Sequence, residues 1–417
     1  MLEPILNKNP LAYVTRDIER ALGLPPDTKG YFIISNFTPF VKSICKGRTN
    51  VLLIKGTALL ATHELLNHPK TKSFLNKLND PQILVFKNTS TIEKICQTSH
   101  WRLLNPPSDL ASLVEEKISQ VKWLGPLKKL LPPHEIKTVE KITWPKFAQQ
   151  GKALRPFILQ FNRAHTGSGT YLIQSESELN ELKQKFPQRL ARLTQYISGP
   201  MFTNNNIVWG NKILVGNINY QITGLKPFTN NPFATIGNDW ALPPKILTKK
   251  QIRDYEKIAN DVGKRLEKNG WAGLFGIDVI LNPENNQLYL IEINARQPAS
   301  TTFESVLQNV NRVKTKNNRL TTFEAHVLSL LKEKNRNNKL VKINNGAQII
   351  QKVVKKMPRF DKIEEKIKKL KFKYFSYSNT KPESDWLRLQ SPNGLLTNQQ
   401  KLNSLGQKIK TVLNEPL

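Results

Sequence analysis

The stretch Gly273–Ser300, GLFGIDVILNPENNQLYLIEINARQPAS, decides the fold. It contains two apolar runs, Leu274–Leu281 and Leu288–Asn294, which are joined by the turn-rich residues NPENNQ. Apolar runs bounded by Pro and Asn predict two antiparallel strands. Because side chains alternate between the two faces of a strand, Glu292 and Asn294 project from the same face.

A register that pairs Asn282 with Leu288 places Asp278 directly opposite Glu292. Two carboxylates and the amide oxygen of Asn294 then converge among apolar neighbours, which is costly unless a cation lies between the acids. Hard oxygen ligands of this kind suit Mg²⁺. A slip of one residue in this register would send the two acids to opposite faces of the hairpin. The alternative to a metal site is that both acids are solvated on the outer face of the hairpin.

Arg296 lies two residues beyond Asn294. Its guanidinium offers a forked donor for an anionic substrate or intermediate. The alternative is a simple salt bridge to Asp278 or Glu292.

A second candidate element is the polar loop between a buried strand at Pro156–Phe161 and a strand at Tyr171–Gln174. Glycines let the backbone approach a phosphate, and successive N–H groups form an anion-binding nest. The P-loop motif GxxxxGK[ST] is absent, and an ordinary hairpin turn is the alternative. The candidate phosphate-binding residues of this loop are Arg163, His165, Thr166, Gly167, Ser168 and Gly169.

Elsewhere the chain alternates strands and helices. Near the N-terminus, Tyr31–Ser35, Val51–Lys55 and Ile83–Phe86 predict strands of a parallel sheet with helices on its faces. Further on, we expect a polar helix at 176–192 and a short strand at Gln195–Ile197. Thr248 and Gln251 then form a capping box that begins an amphipathic helix, which ends at Gly270.

The composition is strongly basic. Among 417 residues, 63 Lys and Arg stand against 32 Asp and Glu, which gives a net charge of +31. Such a surplus indicates nucleic acid, anionic membranes or anionic small molecules as partners. The alternative is a Lys-, Asn- and Ile-rich composition of the kind that an AT-rich genome produces. No nucleic-acid-binding motif is visible, so we expect the lysines of 311–342 and 361–373 to form solvated faces.

Other classes of protein are excluded by composition. The two cysteines, Cys45 and Cys96, cannot form a disulfide scaffold, and no CxxC spacing is present. A reducing, cytoplasmic location fits this cysteine usage. No signal peptide is expected at the N-terminus, and no apolar run reaches the ~20 residues that span a bilayer.

The order of glycine loop, short strand, capped helix, GxD strand and E-x-N strand resembles the ATP-grasp superfamily. The segment PFILQFNRAHTGSGTYLI resembles that family's lid hairpin, and TQYISG resembles the hinge whose backbone reads adenine, here through Gln195, Tyr196 and Ile197. The resemblance implies that Mg²⁺ (or Mn²⁺) is bound by Asp278, Glu292 and Asn294.

Four further segments carry the resemblance. Glu116-Lys117 resembles an acidic–Lys pair whose lysine meets phosphate. The E-x-N-x-R pattern, with Arg296, is that of biotin carboxylase. The sheet domain before the lid and GAQIIQKV after the core resemble the biotin-carboxylase-like arrangement of the family. The implied catalytic residues are Arg296 and Lys117.

The implied fold class is α/β and α+β. A pre-ATP-grasp α/β domain at 1–115 is followed by an ATP-grasp fold of two α+β subdomains. The first subdomain, 116–200, contains linker helices and the lid, and the second, 201–335, is the metal-binding core. A small basic α+β domain follows at 336–417.

Two departures from the family pattern concern the nucleotide. The lid strand usually carries a lysine that contacts the α- and β-phosphates, and Gln160 stands in its place. The hinge usually carries an acid for the ribose hydroxyls, where this chain has Thr194-Gln195. Losing one charged hydrogen bond weakens binding by about 1.5–3 kcal/mol, and Arg163 or His165 can supply the missing charge.

The resemblance implies an ATP- and Mg²⁺-dependent ligase that joins a carboxylate to an amine (or a thiol) through an acylphosphate. It also suggests a homodimer. The segment Gln221–Trp240 is a candidate wall for the unidentified small-molecule substrates, and an ordinary loop over the sheet is the alternative. Two other functions remain open: a catalytically silent homologue that binds nucleotide, and a basic nucleic-acid-binding protein, which we do not favour. No membrane partner is expected.

Overall fold

The computed structural model describes residues 2–150, 153–162, 169–335, 338–354, 357, 359–377 and 379–414. The N-terminal part is a parallel five-stranded sheet with the strand order β3-β2-β1-β4-β5. Its elements are α1 (Leu2–Lys8), β1 (Leu11–Val14), β2 (Tyr31–Asn36), α2 (Pro39–Ile44), β3 (Val51–Ile54), α3 (Thr62–Asn67), α4 (Pro69–Leu75), β4 (Gln82–Val85), α5 (Ser90–Thr98) and β5 (Arg102–Leu103).

This sheet confirms the three expected strands and their parallel arrangement. It also contains the central strand β1, which the sequence reading missed. All four residues of β1 are buried, because the strand is covered on both faces. A buried strand of four apolar residues has no alternation that would distinguish it from a short helix.

The lid region is a four-stranded antiparallel sheet with the strand order β10-β9-β11-β6. Two linker helices precede it, and one helix packs on it. The elements are α6 (Ser108–Glu115), α7 (Ser119–Leu124), β6 (His134–Thr138), β7 (Gln149–Gln150), β8 (Ala153–Leu154), β9 (Phe157–Phe161), β10 (Thr170–Ile173), α8 (Glu176–Lys185) and β11 (Leu190–Gln195).

The expected lid hairpin is confirmed, since β9 and β10 pair antiparallel. Two boundaries were wrong. The helix expected through Arg192 ends at Lys185, and the strand expected at Gln195–Ile197 is β11, which ends at Gln195. Pro187 disfavours helical backbone at Phe186, so the chain leaves the helix early and forms a strand sooner.

The core is a nine-stranded sheet with the order β17-β16-β12-β14-β15-β18-β20-β19, and β13 pairs with β12. Its elements are β12 (Met201–Trp209), β13 (Lys212–Leu214), β14 (Asn219–Thr223), β15 (Thr235–Asp239), α9 (Pro243–Ile246), α10 (Lys249–Lys268), β16 (Gly273–Leu281), β17 (Leu288–Asn294), α11 (Thr301–Thr315), α12 (Thr322–Leu330), β18 (Ala347–Lys352), α13 (Phe360–Lys369), β19 (Lys373–Ser376), β20 (Asp385–Ser391), β21 (Leu396–Asn398), β22 (Lys401–Leu402) and α14 (Ser404–Asn414).

In the C-terminal segment, strands β18, β19 and β20 belong to the core sheet, and β21 and β22 form a separate two-stranded sheet. Strand β18 pairs with β15 of the core, and β20 continues the same sheet. One hydrophobic cluster contains Phe275 of β16, Leu389 of β20 and Leu413 of α14. The C-terminal strands therefore share their hydrophobic core with the strands that carry the candidate site.

Two other expectations are confirmed. The capping box of α10 is present, with Thr248 and Gln251 exchanging hydrogen bonds. The described lysines of 311–342 and 361–373 are exposed, as solvated faces require. Within the described residues, no helix combines the length and the apolar character needed to cross a membrane.

Candidate active site

The hairpin of β16 and β17 brings the two candidate acids together. Asp278 pairs directly with Glu292, as expected. The expected pairing of Asn282 with Leu288 is wrong, because Leu288 pairs with Leu281. The register shifts between Asp278 and Val279, and this β-bulge adds one residue to β17. The bulge corrects the register before it reaches the acids.

Asp278 is buried, with 8% of its surface exposed. The Nδ2 of Asn294 donates to its Oδ2 at 3.4 Å, and Thr203 of the neighbouring strand also hydrogen-bonds to it. Burial and the adjacent Glu292 raise the pKa of Asp278 to about 6, against the smaller effects of Thr203, Lys117 and Asn294. A nearby cation would favour the ionised form of such a buried carboxyl group.

Glu292 forms an ion pair with Lys117, with 2.7 Å between Oε1 and Nζ. Burial acts to raise the pKa of Glu292, but the charges of Lys117, Arg296 and Arg192 outweigh it and hold that pKa below its ordinary value. The paired acids therefore differ, since one is held ionised and the other titrates nearer neutrality.

The lid strand β9 positions Lys117. At the end of β9, the backbone carbonyl of Asn162 accepts from the N–H of Lys117 at 3.3 Å. The Asn162 side chain accepts from the N–H of Ile118 at 2.9 Å and donates to Glu116 at 2.6 Å. These bonds fix the turn between α6 and α7, so the lysine side chain extends toward β17.

Arg296 does not form the salt bridge to Asp278 or Glu292 that was the alternative for it. Its Nη1 donates instead to Glu115, which also accepts from Lys87 at 2.6 Å. Glu115, whose side chain is only 8% exposed, thus holds two cations beside the candidate site. Sequence reasoning missed Glu115 and Lys87, because only the fold brings α6 beside the segment that follows β17.

Gln160 has a charged neighbour that the sequence reading also missed. Arg192 lies opposite Gln160 in the β9–β11 ladder. Its Nε and Nη2 donate to the Gln160 side-chain oxygen at 3.2 and 2.6 Å, and the Gln160 amide donates to Thr170 Oγ1 at 3.3 Å. Burial lowers the pKa of Arg192 to about 10. A cation therefore accompanies the glutamine that stands in place of the usual lid lysine.

An arginine inside the apolar strand LARLTQ is the signal that could have identified this pair. Only 2% of the Arg192 surface is exposed, and arginine is almost never fully buried unless its guanidinium has partners. Its third hydrogen bond goes to Gln120 of α7 at 3.3 Å. The arginine therefore joins the lid sheet to the linker helices.

The hinge candidates lie where the lid meets the core. Gln195 ends β11, and its N–H donates to Pro133 at 2.9 Å. Tyr196 and Ile197 follow in irregular backbone. A Cβ at Gly199 would lie 1.9 Å from the carbonyl oxygen of Leu281, so only glycine permits this crossing at the end of β16.

The glycine loop is described only at Gly169, which has a φ of 87° and accepts from the N–H of Phe161 at 3.0 Å. The other loop candidates lie outside the described residues: Arg163, His165, Thr166, Gly167 and Ser168.

The donor set at the hairpin fits a divalent cation. Within the described ranges, no group of three or more His, Cys, Asp and Glu side chains is placed to bind a metal. The hairpin offers two carboxylates, of which only Glu292 has a lysine partner, and the side chain of Asn294 beside them. This set of hard ligands suits Mg²⁺ that also contacts phosphate oxygens.

The segment Gln221–Trp240, the candidate substrate wall, combines strand ends with a connecting segment. Its two ends belong to β14 and β15, and residues 224–234 connect these strands. Phe228 and Trp240 are buried, whereas Phe233 is exposed. Trp240 packs edge-on against Phe303. Phe228 and Trp240 therefore belong to hydrophobic clusters of the protein, and Phe233 is the aromatic residue of this segment that stays a candidate for substrate contact.

Comparison with known proteins supports this architecture. The family model for the ATP-grasp domain matches residues 128–300. No curated protein sequence matches the chain. Among solved structures, N5-carboxyaminoimidazole synthase from Aspergillus clavatus, in complex with ADP and 5-aminoimidazole ribonucleotide, is similar over 98% of this chain and 99% of that chain, with a TM-score of 0.65 and 12% identity.

Two other solved structures share the fold. The biotin carboxylase domain of 2-oxoglutarate carboxylase from Hydrogenobacter thermophilus has a TM-score of 0.61 and 13% identity, over 92% of this chain and 86% of that chain. L-amino acid ligase from Bacillus licheniformis has a TM-score of 0.58 and 13% identity, over 93% of both chains. The family model thus identifies an ATP-grasp domain at residues 128–300, and the solved structures share the fold along nearly the whole chain.

Proposed function

We propose that the protein is an ATP- and Mg²⁺-dependent ligase that joins a carboxylate to an amine through an acylphosphate. The observation that carries this proposal is the meeting of Asp278, Glu292 and Lys117 at one point. The two acids face each other on one hairpin, and the lysine reaches them from the other side of the cleft at 2.7 Å from Glu292. Convergence of opposite charges in a partly buried cleft suits phosphoryl transfer, which depends on positioning and charge neutralisation.

In the proposed reaction, a substrate carboxylate oxygen attacks the γ-phosphorus of ATP and ADP leaves. The nitrogen of the amine then attacks the acyl carbon, inorganic phosphate leaves, and the nitrogen loses a proton as the C–N bond forms. Bound Mg²⁺ would neutralise the phosphate charge, with Asp278, Glu292 and Asn294 as its ligands.

The remaining roles belong to side chains and backbone of the chain. Lys117 exchanges its ion pair with Glu292 for the phosphate oxygens. Arg296, which Glu115 holds in place, binds the substrate carboxylate. The nucleotide-binding side of the site is lined by Gln195, Tyr196 and Ile197 of the hinge and by Gly169 of the lid. We assign Arg163, His165, Thr166, Gly167 and Ser168 to the same lid, which must exclude water because an acylphosphate hydrolyses.

Gln160 supports a second candidate function, a homologue that binds nucleotide without catalysis. The lid lysine is absent, and a glutamine donates no charge. Arg192 lies 2.6 Å from the Gln160 oxygen and restores a positive charge to this part of the lid, which favours the active ligase. The expected homodimer and cytoplasmic location stay predictions.

Calorimetric titration of the full chain with Mg·ATP tests the proposal. Asp278→Asn and Glu292→Gln keep the side-chain shape and remove one charge each, so each should weaken Mg·ATP binding by at least about tenfold. Asp254→Asn is the matched control, because Asp254 lies on the surface of α10 and its carboxylate pairs with the exposed Lys250. Unchanged affinity in both site variants would refute the metal assignment.

ADP release distinguishes the two candidate functions. We expect Mg·ATP to yield ADP only when a carboxylate and an amine are both present, in a screen of amino acids and other carboxylic acids. Binding of Mg·ATP with no ADP release for any pair would favour the silent homologue.

A further inference from the structure

A cavity of about 590 Å³ lies beyond the end of β17. Its walls come from the segment that follows β1, from helices α2 and α11, and from strands β19 and β20. These elements belong to the N-terminal domain, the core and the C-terminal strands. None of the proposed nucleotide or metal ligands lines it, so the cavity is separate from the nucleotide side of the site.

Positive charge dominates this cavity. Five cationic side chains line it against three acidic ones. The acids are already paired: Asp17 with Arg20 at 3.3 Å, Glu19 with Arg388 at 3.0 Å, and Glu324 with Arg312. Within the part of the chain that the structure describes, no carboxylate forms a salt bridge with the remaining cations, Arg48 and Lys373.

Three of the arginines have incomplete hydrogen bonding. Arg20 Nη1, Arg48 Nη1 and Arg388 Nε are buried and have no hydrogen-bond partner among the described residues. An unsatisfied buried donor is costly, and native proteins keep few of them. Burial also lowers the pKa of Arg48, as expected for a guanidinium whose charge is not fully compensated.

The cavity adjoins the proposed carboxylate-binding arginine. Arg20 lies over the ring of Phe86 at 4.4 Å, and Arg296 lies over the same ring at 6.0 Å. The side chain of Gln297, next to Arg296, donates to the carbonyl oxygen of Arg20 at 2.8 Å. A substrate held by Arg296 can therefore extend into the cavity.

We propose that this cavity binds a dianionic group of the ligase substrate, either a phosphate monoester or a dicarboxylate, through Arg48, Arg388 and Lys373. The inference rests on the proposed function for its link to catalysis, but the anion site itself can be tested without ATP. Guanidinium groups match the paired oxygens of phosphate and carboxylate. Two unpaired cations balance the two negative charges of such a group.

Calorimetry on the full chain, at fixed ionic strength and without nucleotide, tests the site. The probes are inorganic phosphate, succinate and, as a monoanion, acetate. We expect phosphate or succinate to bind at least about tenfold more tightly than acetate, since a second charge-assisted hydrogen bond corresponds to about that factor. The preferred dianion identifies the source. Equal affinity for all three probes would overturn the proposal.

Arg48→Gln is the main variant, because no carboxylate among the described residues forms a salt bridge with Arg48 and would be left unpaired. It should weaken binding of the preferred dianion by at least about tenfold. Lys373→Gln, at an exposed position on β19, should also weaken dianion binding. It tests the site even if Arg48→Gln does not fold. Arg253→Gln is the matched control on the exposed face of α10. Equal affinities in Arg48→Gln, Lys373→Gln and Arg253→Gln would overturn the site.

The same variants separate this inference from the ligase proposal. Arg48→Gln should keep Mg·ATP affinity, whereas Asp278→Asn should lose it and still bind the dianion. Dianion binding in a protein that does not bind Mg·ATP would support the cavity and refute the ligase. Binding of Mg·ATP without binding of the dianion would support the ligase and refute the cavity site.

Discussion

Two buried carboxyl groups of this protein have opposite surroundings. Glu304 on α11 is fully buried and accepts hydrogen bonds from Asn205, from Asn217 at 3.3 Å and from Thr322 at 2.9 Å. Asp278 is almost as buried, but its direct neighbour across the hairpin is another acid, Glu292. Burial alone therefore does not identify a functional acid; the source of its compensation does.

This difference in surroundings distinguishes an acid that stabilises the fold from an acid that we propose acts in the site. The protein itself supplies the donors to Glu304, so that carboxyl group holds β12, α11 and α12 together. The hairpin supplies Asp278 with weaker bonds and a like charge, and Lys117 offsets these only in part, so we propose that a bound cation completes the compensation of its charge. Four changes to the chain test this distinction, beginning with the largest expected effect.

Glu304→Ala should lower the free energy of unfolding by about 4 kcal/mol, because it leaves buried amide donors unsatisfied and opens a cavity. Urea denaturation measures the change, with Asp254→Ala as the surface control. Mg·ATP affinity of the folded variant should stay unchanged. A loss of Mg·ATP affinity without a loss of stability would break the comparison.

Glu304 should also make stability depend on pH. Burial raises its pKa from 4.5 to about 7 in the folded protein, so folding favours the protonated form. Its contribution is therefore complete below about pH 4.5 and is lost as the pH rises to about 7, by about 3 kcal/mol in all. The difference in unfolding free energy between the wild type and Glu304→Gln, measured from pH 4.5 to 8, should fall by that amount. A constant difference would contradict the raised pKa.

Gln160→Lys extends the comparison to a buried cation. The new ammonium would lie beside the Arg192 guanidinium, now 2.6 Å from the Gln160 oxygen, so the free energy of unfolding should fall by about 2 kcal/mol. In Gln160→Lys/Arg192→Gln the like charges no longer meet, and most of that loss should be recovered. Equal stability of the single and the double variant would show that Arg192 does not supply the charge at the lid.

Asp278→Asn should have the smallest effect on stability, and in the opposite direction. Removing one of two facing carboxylates relieves repulsion, so without metal the variant should be about 1 kcal/mol more stable. Thermal and urea unfolding in the presence of EDTA measure it. Destabilisation as large as that of Glu304→Ala would place Asp278 among the structural acids.

Much of this architecture could be predicted from the sequence. The β16–β17 hairpin, the capped helix α10 and the lid hairpin have local signals: apolar runs, a capping box and turn residues. Opposition of Asp278 and Glu292 was also predicted, although through a register that is wrong at the turn. The bulge that corrects it depends on packing of the sheet, which no local pattern encodes.

The partners of the site residues could not be predicted. Glu115 meets Arg296 across 181 positions of the chain, and Lys117 meets Glu292 only because the lid strand fixes its backbone. Contacts between residues so far apart in sequence depend on how the domains pack. The same reason explains why the C-terminal strands β18, β19 and β20 join the core sheet.

The sequence by itself determined most of the strands and helices, the pairing of the two acids and the resemblance to a family, because these depend on residues close together in the chain. Only the tertiary structure decided which charges compensate one another. It brought Lys117 into contact with Glu292, Arg192 with Gln160 and Glu115 with Arg296. It also placed more arginine than acidic side chains around one cavity. Compensation of charge depends on distance in space, and the fold alone sets that distance.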